Sequence, residues 1–344
     1  MTLASMARKY EARKAPEGER QATSAMIASL AAEGYDTVAA PFGNALVDAA
    51  RKDERIVGLT ADLGKYTDLH IFQQAMPDRF YQMGMAEQVL MSAAAGLARE
   101  GFIPFATTYA VFASRRAYDF IAMAIAEENL PVKIVCALPG LTTGYGPSHQ
   151  ATEDLAIFRG LPNMTLIDPC DADDILGMIP QMIAHDGPIY SRLLRGKVPS
   201  VIKKHKPDYR FQLGKAQMIR EGKDVLVIST GVMTMRALDA AVKLADDKVD
   251  VALLHCPTIK PLDLETIAAE AAKGGRLVVT AENHTLMGGL GEAVAAGLLS
   301  RGIAPRFRMI GLPDAFLEAG ALPTLHEMYG ISVGKVIEQI KGWL

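Results

Sequence analysis

The residue with the clearest chemical potential is Glu87, a single acid at the head of an apolar segment, within the run YQMGMAEQ at 81–88. From Ala86 onward apolar residues recur at helical spacing, and an Arg-Glu-Gly triplet at 99–101 ends the pattern, which predicts Glu87 in a first helical turn. A carboxylate there can complement the exposed N–H groups and the helix dipole. A carboxyl group shielded from water can also exchange a proton with a ligand. The segment alone leaves both interpretations open.

A glycine-rich segment, GLTTGYGPSHQ at 140–150, carries the second group of candidates. Its three glycines and a proline precede Ser148 and His149, and such a permissive backbone lets a ligand approach closely. The same composition also fits a plain turn with a structural histidine. Tyr109 and Phe112, spaced i, i+3 at a predicted helix start, fit either core packing or an exposed ring surface.

The elements that must position these residues alternate between strand and helix. The first predicted strands are Arg55–Leu59, Phe80–Met83, Pro104–Ala106, Val132–Leu138 and Thr165–Ile167, and a second set is Asp224–Ser229, Val249–His255, Arg276–Thr280 and Arg306–Ile310. Such alternation predicts an α/β fold with two three-layer domains and mostly parallel sheets. Ligands gather at the carboxyl ends of parallel strands. Segments 62–64, 84–87, 107–112 and 140–149 follow strands and are expected to meet in one crevice.

The length of 344 residues fits two domains. An Ala-, Glu- and Arg-rich stretch at 1–34 is predicted to be a helical arm, and domains are predicted at 35–200 and 214–344. Residues 201–213 lie in an aperiodic stretch with prolines and basic residues, which favours an interdomain linker.

The composition excludes several classes of function. A formal net charge of −3 with 22% charged residues gives no basic surface for nucleic acid or an anionic membrane. No run reaches the ~18 apolar residues of a membrane span. Three separated cysteines, Cys136, Cys170 and Cys256, suggest free thiols in a reducing compartment, so we expect a cytoplasmic protein without a metal site of its own.

Six separated blocks together resemble the C-terminal half of transketolase-type thiamine-diphosphate enzymes. They are GMAEQ (84–88), PFATTYAVFASRRAYD (104–119), the segment 140–164 with GYGPSHQ and EDLAIFRGLPNM, DPCDADD (168–174), YSRLLRG (190–196) and AENHTLMGGLGEAV (281–294). The resemblance spans about residues 40–330 and identifies 35–200 as a pyrimidine-binding domain and 214–344 as a transketolase C-terminal domain. The family's Gly-Asp-Gly pattern with a following Asn, which holds magnesium and the cofactor's diphosphate, does not occur in the sequence.

The resemblance therefore implies a split transketolase, in which this chain is the C-terminal subunit. A separate N-terminal subunit would supply the ligands of Mg²⁺ and the diphosphate, and two such pairs would form an α2β2 heterotetramer. The implied reaction moves a two-carbon ketol unit from a ketose phosphate to an aldose with thiamine diphosphate. Alternatives are a deoxyxylulose-phosphate-synthase-like subunit, a 2-oxo-acid dehydrogenase beta-type subunit, and a noncatalytic regulatory or scaffold subunit.

The resemblance also implies roles for the cofactor-side residues. Glu87 matches the glutamate that shares a proton with the cofactor's pyrimidine ring, a role for which burial should favour the protonated carboxyl group. Tyr109 and Phe112 match the rings that stack on the pyrimidine. A third family aromatic is replaced by Arg115. Asp62 is predicted to reach the same cleft.

On the substrate side, the resemblance implies that His149 contacts the sugar, where an imidazole can hydrogen-bond hydroxyls or carry a proton. Arg192, expected just after a strand, matches an arginine that holds the sugar phosphate. Tyr145 stands where many relatives have an aspartate, so the choice of sugar is expected to differ. The glycines of 281–294 suggest a phosphate loop in isolation, but the resemblance favours packing or subunit contact there, and Glu282 and His284 are not assigned to catalysis.

Overall fold

The computed structural model describes residues 34–344. The predicted helical arm at 1–34 lies outside the described residues except for Gly34. The described chain forms a seven-stranded sheet, a five-stranded sheet and a small two-stranded ribbon. The predicted fold class, α/β with mostly parallel sheets in two domains, is confirmed.

The first domain is built on the seven-stranded sheet. Its strands are β2 Ile56–Thr60, β3 Phe80–Gln82, β4 Ile103–Tyr109, β5 Lys133–Ala137, β6 Thr165–Ile167 and β7 Ile189–Leu193, with β12 Thr258–Lys260 at one edge, in the order β12-β6-β7-β5-β4-β2-β3. All neighbours except β12 and β6 are parallel. Every residue of β4 and of β5 is buried, as expected for central strands covered on both faces.

Helices of the first domain connect these strands. They are α1 Pro41–Ala50, α2 His70–Ala75, α3 Glu87–Arg99, α4 Tyr118–Ile121, α5 Asp154–Arg159, α6 Ala172–Ala184 and α7 Ile202–His205. Helix α1 packs against α2 and α6, whereas α3 packs against α4 and β4. The ribbon pairs β1 Thr37–Ala39 with β8 Lys197–Pro199.

The second domain contains the five-stranded sheet. Its strands are β9 Gln217–Arg220, β10 Val225–Ser229, β11 Val251–His255, β13 Leu277–Thr285 and β14 Phe307–Leu312, in the order β14-β13-β10-β11-β9 with β9 antiparallel. Its helices are α8 Val232–Asp246, α9 Leu264–Ala271, α10 Leu290–Leu299, α11 Leu322–Met328 and α12 Val333–Trp343.

The two domains are connected by direct contacts as well as by the linker. Strand β12 belongs to the second half of the chain but pairs with β6 of the first sheet. The predicted linker at 201–213 contains α7 and packs on α6, where the Tyr209 hydroxyl donates to Asp174 at 2.5 Å and Gln181 bonds the backbone of 211 and 213. The linker is thus a packed connection, which fixes how the second domain approaches the first.

Candidate active site

The segments predicted to border the crevice follow the carboxyl ends of β2, β3, β4 and β5, which are parallel and adjacent. Glu87 begins the helix after β3, Tyr109 ends β4, and His149 lies on the loop after β5. Tyr109 is therefore a strand residue, not part of a helix start as expected. Phe112 follows in a widened helical turn, Phe112–Arg116, closed by the Ala117 N–H bonding the Phe112 carbonyl.

Glu87 is placed as the sequence predicts, in the first turn of α3, and its side chain is only 2% exposed. Gly84, with φ of 70°, makes the turn between β3 and α3, a conformation that favours glycine. The carboxylate is not surrounded by apolar groups alone, since the Arg116 guanidinium donates from Nη1 to its Oε2 at 3.0 Å. Arg116 is the one side chain of residues 34–344 that hydrogen-bonds this carboxylate.

Four aromatic rings, those of Tyr109, Phe112, Tyr145 and His149, form a ring cluster near the end of β4. The ring centroids of Tyr109 and Phe112 are 5.7 Å apart, and the imidazole of His149 lies 6.0 Å and 5.4 Å from them, edge-on. The ring of Tyr145 is 5.5 Å from that of His149 and is half exposed. The guanidinium of Arg116 lies 4.3 Å from the Phe112 centroid, a cation–π distance. The structure thus brings these predicted residues together and links them to Glu87 through Arg116.

The surroundings of His149 favour the neutral imidazole. Partial burial and, secondly, the positive charge of Arg116 lower its pKa from the ordinary value. Its Nδ1 lies 2.9 Å from the Ser148 hydroxyl. A neutral imidazole has one nitrogen able to accept a hydrogen bond, so His149 can receive a proton from a hydroxyl group in the crevice.

The hydrogen bond of Asp62 is to the segment before Glu87, and not to the ring cluster. Asp62 is exposed in a turn with φ of 58°, and its N–H donates to Gln82 Oε1 at 2.8 Å. The same Gln82 oxygen accepts from the Gly84 N–H at 3.0 Å. Asp62 therefore borders the turn that leads to Glu87, and its binding role stays a prediction.

Arg192 is placed differently from the prediction. It lies within β7 and not after it, and its side chain is 1% exposed. The guanidinium makes two bonds to Asp154, at 3.0 Å and 2.5 Å, and one each to Asp168 at 3.2 Å and to the carbonyl of Asn283 at 3.1 Å. Because Asn283 is on β13, Arg192 connects the two domains. These four bonds use four of the five N–H donors of the guanidinium, and the contact of Arg192 with a sugar phosphate stays a prediction.

The two acids on Arg192 respond differently to burial. Desolvation raises the pKa of Asp168 to about 6, although the single bond to Arg192 opposes it. Desolvation also raises the pKa of Asp154, but the charge of Arg192 and its two hydrogen bonds outweigh desolvation and hold this pKa below the ordinary value. The ion pair with Asp154 is therefore the stronger half of this buried anchor.

The glycine motif of the second domain is filled by its own chain. Glu282 is fully buried and accepts the N–H groups of Leu290 at 2.7 Å and Gly291 at 2.8 Å, at the start of α10. A Cβ at Gly289 would lie 2.0 Å from Glu282 Oε2, so the motif needs its glycines to admit this side chain. His284 Nε2 accepts the N–H of Ala156, a contact across the domain interface. The motif packs the domains together, as the resemblance favoured, and offers no open phosphate loop.

Sequence reasoning missed the functions of two adjacent arginines. Arg116 bonds Glu87, and Arg115 bonds Glu153 and the glycine-rich loop. The available signal was a pair of arginines three and four residues after Phe112 in an otherwise apolar segment. Their different partners depend on the widened turn Phe112–Arg116, which the sequence does not reveal.

One cluster of potential metal ligands occurs among residues 34–344: Cys170, Asp174 and His255, whose ligand atoms lie within 4.8 Å of one another. All three are buried, and His255 Nε2 already pairs with Asp174 at 2.9 Å while its Nδ1 lies 2.8 Å from the Thr234 hydroxyl. This cluster lies between the two domains, because Cys170 and Asp174 belong to the first domain and His255 to β11 of the second. Within the same described range, no helix is long and apolar enough to cross a membrane.

Family models match both halves of the chain. Residues 36–200 match the transketolase pyrimidine-binding domain and residues 214–336 match the transketolase C-terminal domain. A transketolase family protein of Sinorhizobium fredii is 66% identical over 329 residues, 95% of each chain. A 6-deoxy-6-sulfo-D-fructose transketolase subunit of a Clostridium species is 41% identical over 293 residues, 85% of this chain and 89% of that protein.

A solved structure described as a split-gene transketolase, an inactive beta4 tetramer, is 40% identical with a TM-score of 0.80, covering 88% of this chain and 97% of that one. 1-Deoxy-D-xylulose-5-phosphate synthases are also related. The protein of Geobacter sulfurreducens is 35% identical over 304 residues, and this chain spans 47% of its length. Full-length agreement is therefore with proteins of this chain's own size.

Proposed function

This chain belongs to the transketolase family, and we propose that it is the C-terminal subunit of a two-chain transketolase. In this proposal it transfers a two-carbon ketol unit from a ketose to an aldose, and acts only together with an N-terminal subunit. The observation that carries the proposal is the buried Glu87 carboxylate, which Arg116 links to the ring cluster of Tyr109, Phe112 and His149.

The donors present fit the pyrimidine half of thiamine diphosphate. A buried carboxylate and two tilted rings match an aromatic heterocycle with a ring nitrogen. The described metal-ligand cluster contains a thiol and an imidazole, whereas Mg²⁺ prefers oxygen ligands. We therefore assign Mg²⁺ and the diphosphate to the partner subunit. When bound, thiamine diphosphate supplies the electron sink that lets the ketose carbon–carbon bond break and re-form.

The chain's own residues have three tasks. Glu87 holds a proton at a ring nitrogen of the cofactor, in a site that is only 2% exposed to water. Tyr109 and Phe112 orient the ring by offset stacking. His149, whose lowered pKa favours the neutral form and which lies edge-on to both rings, accepts a hydrogen bond or proton from a sugar hydroxyl.

An exposed apolar surface next to Glu87 supports the need for a partner. Met85 and Val89 flank Glu87 in the chain and are 82% and 54% exposed. Phe120 within α4 and Met123 after it are 40% and 60% exposed. Helix α3 packs against α4, so these side chains border one region. Contiguous exposed apolar side chains mark interaction surfaces. We assign this surface to the N-terminal subunit, in the arrangement α2β2.

The related sequences also inform the substrate. One relative is named for a sulfonated fructose, and the solved split-gene relative is described as inactive when only beta subunits assemble. We infer a donor ketose that carries a phosphate or sulfonate. A deoxyxylulose-phosphate-synthase-like activity is the second candidate, because such enzymes are also relatives. The two differ in whether CO₂ is released, since a 2-oxo-acid donor loses it and a ketose donor does not.

Reconstitution tests the proposal. The purified chain is mixed with its N-terminal partner, thiamine diphosphate and Mg²⁺, and supplied with an aldose phosphate and either a ketose phosphate or a 2-oxo acid. We expect turnover only with both subunits and with the ketose, and loss of turnover in Glu87→Ala. The matched control is Glu265→Ala, which removes an exposed first-turn carboxylate from α9. Equal rates in wild type and Glu87→Ala would remove the assigned role.

A further inference from the structure

The loop that carries His149 has an exposed middle part. Tyr145, Pro147 and Ser148 are exposed, and the turn is closed by one backbone bond, from the His149 N–H to the Gly146 carbonyl at 3.0 Å. Gly146, within this turn, has φ of 82°, a conformation that favours glycine. A residue that must present an imidazole to a sugar needs a firmer support than this turn.

The two ends of the loop are supported by the second domain. Asn283 Oδ1 accepts the Leu141 N–H at 2.9 Å, and the Gly320 N–H donates to the Gly144 carbonyl at 3.0 Å. The Gln150 amide donates to the Glu318 carbonyl at 3.1 Å. These contacts hold the segments before Tyr145 and at Gln150, but none of them reaches the backbone on either side of His149.

Arg115 reaches that backbone. Its Nη1 donates to the Pro147 carbonyl at 2.8 Å and its Nη2 to the Gln150 carbonyl at 3.2 Å, so the two acceptors flank His149. Within residues 34–344, no other side chain from outside the loop hydrogen-bonds the backbone between 145 and 150. Arg115 therefore hydrogen-bonds the backbone around His149, the part of the loop that the contacts from the second domain leave unsupported.

Arg115 is itself held in a fixed orientation. Its guanidinium pairs with both carboxylate oxygens of Glu153, from Nη2 at 2.9 Å and from Nε. The planar fork of a guanidinium makes such two-point pairing directional, which an ammonium cannot reproduce. The Thr152 hydroxyl also donates to Glu153, at 3.1 Å. The result is a continuous chain of bonds from the widened turn after Phe112, through Arg115, to the loop and to the start of α5.

We propose that Arg115, oriented by Glu153, is a positioning residue that sets the place of His149 in the crevice and thereby the affinity for the sugar. The inference rests on the proposed ketol-transfer function and deepens it. It also explains why an arginine stands where the family resemblance leads to a third ring. Arg115 supports the substrate side of the site, whereas Arg116, the next residue, contacts the cofactor side at Glu87 and Phe112.

The kinetic test uses the two-subunit complex with a ketose phosphate and an aldose phosphate. We expect Arg115→Ala to raise KM for a sugar about tenfold, with thiamine diphosphate affinity within about twofold of wild type, because small displacements of a positioned group have large kinetic effects. Arg115→Lys keeps the charge but loses the fork, and should recover only part of the loss. Arg51→Ala, which breaks an exposed pair with Asp48 on α1, is the control and should match wild type.

A double-variant comparison separates positioning from general stability. If Arg115 acts through His149, then Arg115→Ala combined with His149→Ala should be no slower than His149→Ala alone. Additive losses would mean that Arg115 acts elsewhere and would overturn the inference. An unchanged KM in Arg115→Ala would overturn it as well.

Hydrogen exchange provides a readout that does not need turnover. We expect the His149 amide to exchange about tenfold faster in Arg115→Ala, while amides of β4 and β5 exchange as in wild type. Equal exchange rates of the His149 amide in wild type and Arg115→Ala would overturn the positioning role of Arg115, whatever the kinetic result. Absence of turnover in the wild-type complex would instead overturn the ketol-transfer proposal, so the two failures are distinguishable.

Discussion

Both domains place a buried glutamate by a helix N-terminus at the end of their sheet, yet the two side chains are used differently. Glu87, in the first turn of α3, is 2% exposed and has Arg116 as its side-chain partner. Glu282, near the end of β13, is fully buried and accepts two backbone N–H groups at the start of α10. In the second domain the carboxylate is satisfied by backbone N–H groups of its own fold. In the first domain its partner is a half-exposed arginine at the edge of a crevice.

The comparison teaches how to recognise a site in this fold. A buried acid at a helix start is not sufficient, because complementing backbone N–H groups is a common structural use. What distinguishes Glu87 is its surroundings: a ring cluster that is partly open to solvent at Tyr145, a histidine whose lowered pKa favours the neutral form, and a cation that is half exposed. We therefore assign chemistry to Glu87 and stability to Glu282.

Glu87→Gln is expected to give the largest effect and is the strongest test of this comparison. The amide keeps the shape but cannot exchange the proton, so kcat/KM of the two-subunit complex should fall by about 10²–10⁴. Thermal unfolding of the chain should change little. Activity within twofold of wild type, or a loss of stability as large as that of a Glu282 variant, would contradict the distinction.

Glu282→Ala should produce the opposite result. Two buried N–H groups at the start of α10 lose their acceptor, at about 1–3 kcal/mol for each unsatisfied group. We expect urea denaturation to show a loss of about 2–6 kcal/mol in the free energy of unfolding, with unchanged turnover per folded complex. Glu292→Gln, on the exposed side of the same helix, is the matched control and should lose much less.

The ring surface gives a smaller effect on the cofactor side. Phe112→Leu removes stacking worth about 0.5–1.5 kcal/mol, so calorimetric titration of the complex should show thiamine diphosphate binding weakened about threefold to tenfold. Phe307→Leu makes the same change at a half-buried position of β14 and serves as control. Equal affinities for both variants would remove Phe112 from the cofactor site.

The smallest effect is the pH dependence of stability that Glu282 adds. Burial raises its pKa from 4.5 to about 7, against the opposing effect of the Gly291 and Leu290 amides. Between these values the folded state binds the proton more tightly than the unfolded state, so the contribution of Glu282 to stability is full below pH 4.5 and declines as pH rises toward 7.

The comparison of wild type with Glu282→Gln isolates this contribution. Gln does not titrate, so the difference in unfolding free energy should change by at most about 1.4 kcal/mol per pH unit across that window. A difference that is independent of pH would show that Glu282 is ionised throughout in the folded protein.

The order of strands and helices was largely predictable because short, nearly continuous apolar runs mark strands that are buried on both faces. Thr165–Ile167 has the predicted bounds. Strand β4 was predicted too short, at Pro104–Ala106, since Thr107 and Thr108 are polar. The hydroxyl of Thr107 is buried at low cost because Thr67 donates to it at 3.0 Å, a contact from another part of the chain.

Residues whose role depends on distant partners were not predictable from the sequence. Arg192 in β7 is buried only because Asp154, Asp168 and the Asn283 carbonyl surround it. Strand β12 exists through its pairing with β6 of the other domain. The sequence singles out Glu87, Tyr109, Phe112 and His149, whose site roles stay predictions, because their chemistry stands out within short segments. The contacts of Arg115 are not predictable in this way, because they require three segments to meet.

A crystal structure of the two-subunit complex with thiamine diphosphate and Mg²⁺ tests the central claim most directly. We predict that Glu87 lies within hydrogen-bond distance of a nitrogen of the cofactor's pyrimidine ring, that Phe112 stacks on that ring, and that the partner subunit binds the metal and the diphosphate. A cofactor bound elsewhere, with Glu87 still paired to Arg116 alone, would contradict the account.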